Sequence, residues 1–137
     1  MNDETHMTSA LFVVSEEGYW AEECIEPLTT LESEGVDVTV GADGYDAVVF
    51  PGGHGTVWDV NQDRHARQLL LDAVAGEESV ALVVCHAVGI LAFTREADGT
   101  PLVEGRSITG FPNEWEEDIV DADDVMPDGR KLPYWVE

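Results

Sequence analysis

The chain is poor in positive charge. Six Lys and Arg stand against 29 Asp and Glu, a formal net charge of −23, and Lys131 is the single lysine. Such a surface repels phosphate backbones and anionic lipid, so nucleic-acid and membrane partners are not expected. An acid-rich, lysine-poor surface suits a salt-filled cytosol, where carboxylates hold water and salt screens their repulsion. The charge therefore reads as halophilic adaptation and says nothing about chemistry. Cysteine is scarce as well. Cys24 and Cys85 do not form a Cys-x-x-Cys pair, which excludes zinc-ribbon and thioredoxin-type sites. With so few cysteines, a reducing cytoplasm is the expected compartment. No apolar run approaches the roughly 20 residues of a membrane span. Met1 to Ala10 carry neither the cationic region nor the apolar core of a signal peptide.

What is present suits one domain. The 137 residues are 44% hydrophobic, enough to bury a core despite the charge. Ala10 to Ser15 is a short apolar run and reads as a buried strand. Cys24, Leu28 and Leu31 then fall on one face of a helix from Glu22 to Glu34, with Gly35 as its cap. Pro27 inside that helix is expected to kink or restart it. Val36, Val38 and Val40 alternate with polar residues as a second strand. Asp46 to Phe50 forms a third, stopped by Pro51-Gly52-Gly53.

Arg64 to Ala75 reads as a helix that turns Leu69, Leu70, Ala73 and Val74 inward. Val80 to Val84 is a fourth strand and ends at Cys85, with a helix from Val88 to Thr94. Beyond Arg95 lie shorter pieces: a strand at Ser107 to Thr109, an acidic stretch through Asp128, and a helix beginning at Pro133 to Glu137. Alternation of strands and helices predicts an α/β doubly wound fold with a mostly parallel sheet and helices on both faces. One connection is too short for that scheme, because parallel neighbours need a crossover of about a dozen residues. Between Val40 and Tyr45 stand only Gly41 to Gly44. Either the second and third strands make an antiparallel hairpin, or a segment is missing there. A missing segment, together with a lost C-terminal part, is the expectation.

Two loops at the carboxyl ends of strands carry chemistry, the place where α/β sheets keep their sites. In Val83-Val84-Cys85-His86-Ala87 a strand runs into a helix with cysteine at the junction. Such a turn pushes a nucleophile into a cleft, and helix N–H groups would favour thiolate and lower the cysteine pKa. Cys24 lacks that context and reads as a core residue on an amphipathic helix. In Phe50-Pro51-Gly52-Gly53-His54-Gly55 the glycines would let N–H groups approach a ligand as an oxyanion hole, with His54 either lining the pocket or standing as a partly exposed loop histidine. No Gly-Lys-Ser/Thr follows, so a phosphate loop is excluded, and Gly-x-Gly-x-x-Gly is absent. Asp121 to Gly129 fails the EF-hand spacing at Val125 and Met126. His6 and His65 read as surface residues, and Trp20, Trp58, Trp115 and Trp135 as packing residues.

Together the cysteine elbow, the Pro-Gly-Gly-His-Gly loop and Gly105-Arg-Ser-Ile-Thr-Gly-Phe111 resemble the ThiJ/PfpI superfamily. They are most similar to its branch of heat-shock chaperones and glutathione-independent glyoxalases. The resemblance implies a flavodoxin-like sandwich of the class I glutamine amidotransferase type, and a homodimer. It implies Cys85 as nucleophile, His86 as its following histidine, and Glu23, four residues before Pro27, beside the sulfur. It also implies an acid five residues beyond Phe111 that orients the histidine: Glu116, or Glu117 one place on. The family's Gly-Pro after Cys-His is replaced here by Ala87-Val88. A small 2-oxoaldehyde such as methylglyoxal is the implied substrate, with Gly53, His54 and Gly55 around the oxyanion. No metal or other cofactor is expected. The alternative function is a stress-response chaperone or redox sensor using an easily oxidised Cys85. A glutamine amidotransferase is less favoured, because its histidine lies far from the cysteine in sequence.

Overall fold

The computed structural model describes residues 8–38, 45–120 and 129–137. Four short strands form one sheet: β1 (Ser9–Phe12), β2 (Asp37–Val38), β3 (Ala47–Phe50) and β4 (Val80–Val83). Their order is β2-β1-β3-β4, and every pairing is parallel. Ala10 sits opposite Ala47, and Ala47 opposite Val80. The expected doubly wound α/β fold is present. The antiparallel hairpin is not, since β2 and β3 lie on opposite sides of β1 and both run parallel to it. Val40, the last residue of the expected second strand, and the acidic stretch 121–128 lie outside the described residues.

Helix α1 (Ala21–Ser33) follows β1 and packs against β2. Glu22 and Glu23 occupy its first turn, where the positive end of the helix dipole favours acids. It runs through Pro27 without the expected restart, although proline has no N–H to offer the carbonyl of Glu23. Gly35 takes a φ of 81° just past the helix, as a capping glycine should. Helix α2 (Arg64–Ala75) joins β3 to β4 and is capped by Asp63, whose carboxylate accepts from the N–H of His65 and Ala66. After the Cys85 junction come one 3₁₀ turn, Cys85–Val88, and a five-residue helix, α3 (Gly89–Phe93). Helix α4 (Asn113–Val120) completes the described set.

Alternation along β3 divides the molecule into two faces. Val48 and Phe50 point toward α2 and join Ala66, Leu70, Ala73, Ala87 and Ile90 in the buried core. Val49 points the other way, into a groove of about 600 Å³ shared with Trp20, Leu31, Leu82 and Val84. On that face β4 is bare: Val80 is 61% and Leu82 46% exposed. The expectation of strands buried on both faces thus holds for β3, where Val48, Val49 and Phe50 are all buried, and not for β4.

Three local expectations fail. Ser107 to Thr109 forms no strand, and 133–137 forms no helix. Val74 is exposed while Ala66 takes its place inward, a one-step rotation of the buried stripe of α2.

Candidate active site

The sheet topology brings two loops together at the carboxyl ends of β3 and β4. The elbow residue Cys85 adopts φ 54°, the one non-glycine residue among those described with a left-handed backbone. That conformation is strained for a side chain with a Cβ, and it thrusts the sulfur out of the strand line into the cleft. The neighbouring loop must therefore lack bulk. A Cβ on Gly52 would lie 2.4 Å from Cβ of Cys85 and 2.5 Å from Oε2 of Glu23. Gly52 is the residue that lets the carboxylate and the sulfur meet, and its N–H donates to Glu23 Oε2 at 2.9 Å. Sequence reasoning passed over it in favour of Gly53 and Gly55.

Those two glycines have separate duties. The N–H of Gly53 faces the sulfur, as does that of His86, and both stabilise a thiolate. The open side of Gly53, at φ 111°, is filled by the backbone of Tyr19 and Trp20. Gly55 instead packs against Gly18 and Ser15, where a Cβ would stand 2.2 Å from the Gly18 carbonyl oxygen. Its surroundings are those of a packing glycine. The segment after β1 is tied down over this loop: Trp20 N–H bonds the Gly52 carbonyl at 3.0 Å, and Ser15 Oγ donates to Asp59 at 2.8 Å.

Behind the sulfur stands a buried polar chain. His86 Nδ1 lies 3.2 Å from Cys85 Sγ, and its Nε2 lies 2.5 Å from Glu116 Oε2. The second oxygen of Glu116 bonds His54 Nε2 at 2.9 Å. His86 and Glu116 are fully buried, on the elbow and on α4. Glu117 is exposed, and Glu116 is the acid bonded to His86. His54, expected along the pocket wall, spends its Nε2 on Glu116, with its ring centroid 4.1 Å from that of His86. Phe111 covers the other side of His86 at 4.7 Å.

The electrostatics overturn one expectation. Burial pushes the Cys85 thiol above its ordinary value, the Glu23 carboxylate adds to that push, and the N–H groups of Gly53 and His86 only partly oppose it. The predicted helix was to lower this pKa, but the elbow leads into a 3₁₀ turn and a five-residue helix with little dipole to offer. Burial also holds His86 below the usual histidine value, with His54 adding to the effect and Glu116 opposing it. The resting pair is thus a thiol beside a neutral imidazole. Cys24 is buried on α1, and burial alone raises its pKa, in keeping with a core thiol.

The ligand atoms of His54, His86 and Glu116 lie within 4.8 Å of one another, a donor set that suits a zinc-type ion. In this structure each of those atoms is engaged in a hydrogen bond within the group.

The chain is 34% identical over 88 residues to glutathione-independent glyoxalase HSP31 of Saccharomyces cerevisiae, and 33% identical over 89 residues to Glyoxalase 3 of Candida albicans. Each match covers 64% of this chain, but only 36% and 37% of the respective relative. The chain thus spans little more than a third of the length of the curated relatives it matches. No family model matches. One solved crystal structure, 26% identical, superposes with a TM-score of 0.68 over 88% of this chain and 75% of its own length. The Rapid Encystment Protein of 24 kDa from Francisella tularensis, 22% identical, shares the fold with a TM-score of 0.70 over 88% of this chain and 77% of its own.

Proposed function

This chain belongs to the ThiJ/PfpI superfamily and is related to glutathione-independent glyoxalases, and from that premise we propose that it converts small 2-oxoaldehydes, methylglyoxal first, to 2-hydroxy acids through Cys85. The single observation that carries the reading is the sulfur held between two proton acceptors: His86 Nδ1 at 3.2 Å on one side and the Glu23 carboxylate on the other.

The steps balance without an outside oxidant. Cys85 transfers its proton to His86 as sulfur bonds to the aldehyde carbon, and that proton passes to the new oxygen, giving a hemithioacetal. The N–H groups of Gly53 and His86, which face the sulfur, would stabilise the developing oxyanion. Glu23 or His86 then removes the hydrogen on the former aldehyde carbon and returns a proton to the neighbouring carbonyl carbon, while the hydroxyl proton of the first carbon passes to the oxygen of the second. The first carbon is oxidised and the second reduced, leaving a thioester. Water releases lactate and restores the thiol. Each proton-transfer role contributes about 10²–10⁴-fold. Because the thiol rests protonated, the base at His86 is needed for attack, whichever of Glu23 and His86 serves the isomerisation.

The alternative of a redox sensor drew on a depressed cysteine pKa, and burial with Glu23 drives the thiol the other way. The homodimer implied by the resemblance and the cytoplasmic setting expected from the scarcity of cysteine belong to this proposal. Among the described residues no helix is long and apolar enough to cross a membrane. Lactate formation from methylglyoxal in molar KCl tests the reading. Wild-type protein should turn over without added glutathione, and Cys85→Ser should lose at least about 10⁴-fold. Undiminished turnover by that variant refutes it.

A further inference from the structure

Glu116 carries two imidazoles, and the proposed chemistry uses only one. His54 Nε2 lies 2.9 Å from Glu116 Oε1, while His86 Nε2 lies 2.5 Å from Oε2. The carboxyl group is 1% exposed, and His54 is the more accessible imidazole, with a side chain 15% exposed. A buried carboxylate with one oxygen unpaired is costly, and it relieves that cost by taking a proton. A protonated Glu116 would present O–H to His86 Nε2. The imidazole would then have to accept there and carry its own hydrogen on Nδ1, facing the sulfur.

We propose that His54 is a positioning residue for the glyoxalase-type reaction: by donating Nε2–H to Glu116 Oε1 it keeps the carboxylate an acceptor, which fixes the hydrogen of His86 on Nε2 and leaves the Nδ1 lone pair for the proton of Cys85. The proposal rests on the reading of Cys85 and His86 above and adds a partner that the cysteine–histidine–glutamate set does not contain. His54 touches neither sulfur nor substrate in this account; it acts through Glu116. Its place in the Gly-rich loop after β3 gives it a fixed approach, since Thr56 N–H and Oγ1 both bond the Gly53 carbonyl and hold the turn. The 41° tilt between the His54 and His86 rings allows each to aim Nε2 at a separate oxygen of the one carboxylate.

Two variants separate donor chemistry from packing. His54→Phe keeps a ring and removes the donor; His54→Gln returns an N–H near the position of Nε2. In long-range ¹H–¹⁵N spectra of the folded protein, His86 of the wild type should show the Nε2–H tautomer. His54→Phe should show Nδ1–H or a mixture, and His54→Gln should restore the wild-type pattern. Lactate formation should fall about 10–10²-fold in His54→Phe and recover to within about threefold in His54→Gln, the usual scale for a group that orients a functional histidine. An unchanged His86 tautomer in His54→Phe overturns the proposal, and so does equal loss of turnover in both variants. Turnover that rises with added Zn²⁺ and falls with EDTA also overturns it, because His54 and Glu116 would then be ligands. The spectra do not depend on turnover: a wild type that makes no lactate but shows the expected tautomers refutes the enzyme reading alone.

Discussion

The two flanks of Cys85 are built differently. On the Glu23 side the carboxylate is half-buried at the start of α1, held by one N–H from Gly52, and it works directly on the sulfur. On the Glu116 side the carboxylate is sealed in the protein, satisfied by two imidazoles, and reaches the sulfur only through His86. The first flank opposes ionisation of the thiol; the second holds an imidazole nitrogen beside the sulfur, the base of the proposed mechanism. In the proposed mechanism one sulfur therefore has a carboxylate that favours its protonated form and an imidazole that takes the proton during attack. The half-exposed carboxylate of Glu23 can meet substrate, and the sealed carboxylate of Glu116 cannot.

Substitutions that disable one flank at a time sharpen that division. Glu116→Gln should have the larger effect, about 10³-fold in lactate formation, because a neutral amide stabilises the His86 imidazolium poorly. Its pH profile gives an independent check. Burial already sets the acid limb of His86 below the ordinary histidine value, and Glu116 opposes that shift. Loss of the carboxylate should move the limb lower still, so activity persists further into acid before His86 charges; a limb that moves upward would contradict the assignment. Glu23→Gln should cost about 10²-fold in turnover and yet speed iodoacetamide alkylation of Cys85 at pH 7 several-fold. The sign follows from the carboxylate raising the thiol pKa: without it more thiolate is present at neutral pH. Slower alkylation in that variant would break the comparison. Cys24→Ala, beside Glu23 but on the buried stripe of α1, should leave turnover within about twofold and cost about 1 kcal/mol in denaturant unfolding.

The fold was readable because apolar periodicity is local. The alternation in β3 and the spacing of α2 are visible in windows of a few residues, and both elements occur where expected. Ser107 to Thr109 failed because three strand-like residues without a neighbouring strand have nothing to bond. The Cys85 elbow was legible for the same local reason, as a strand meeting a helix at cysteine. The two glutamates were not: 29 acidic residues give no local sign of which are buried, and only resemblance to known motifs pointed to Glu23 and Glu116. His54 bonds Glu116 across 62 positions of sequence, a contact no short window contains. The direction of the Cys85 pKa was missed for a related reason. It depends on burial and on a carboxylate brought in by α1, and the local signal, the following helix, proved too short to compensate.

The bare side of β4 has a consequence for how the protein behaves in bulk. Val80 and Leu82 face solvent on the last strand of the described sheet, where unpaired backbone would welcome a neighbour. A charge of −23 keeps such neighbours at a distance in dilute buffer. At about 1 M salt the reach of that repulsion shrinks to about 3 Å, and excluded salts strengthen apolar adhesion at the same time. Sedimentation and light scattering should therefore register stickier particles as salt is added, and more so than for an equally charged surface without that stripe.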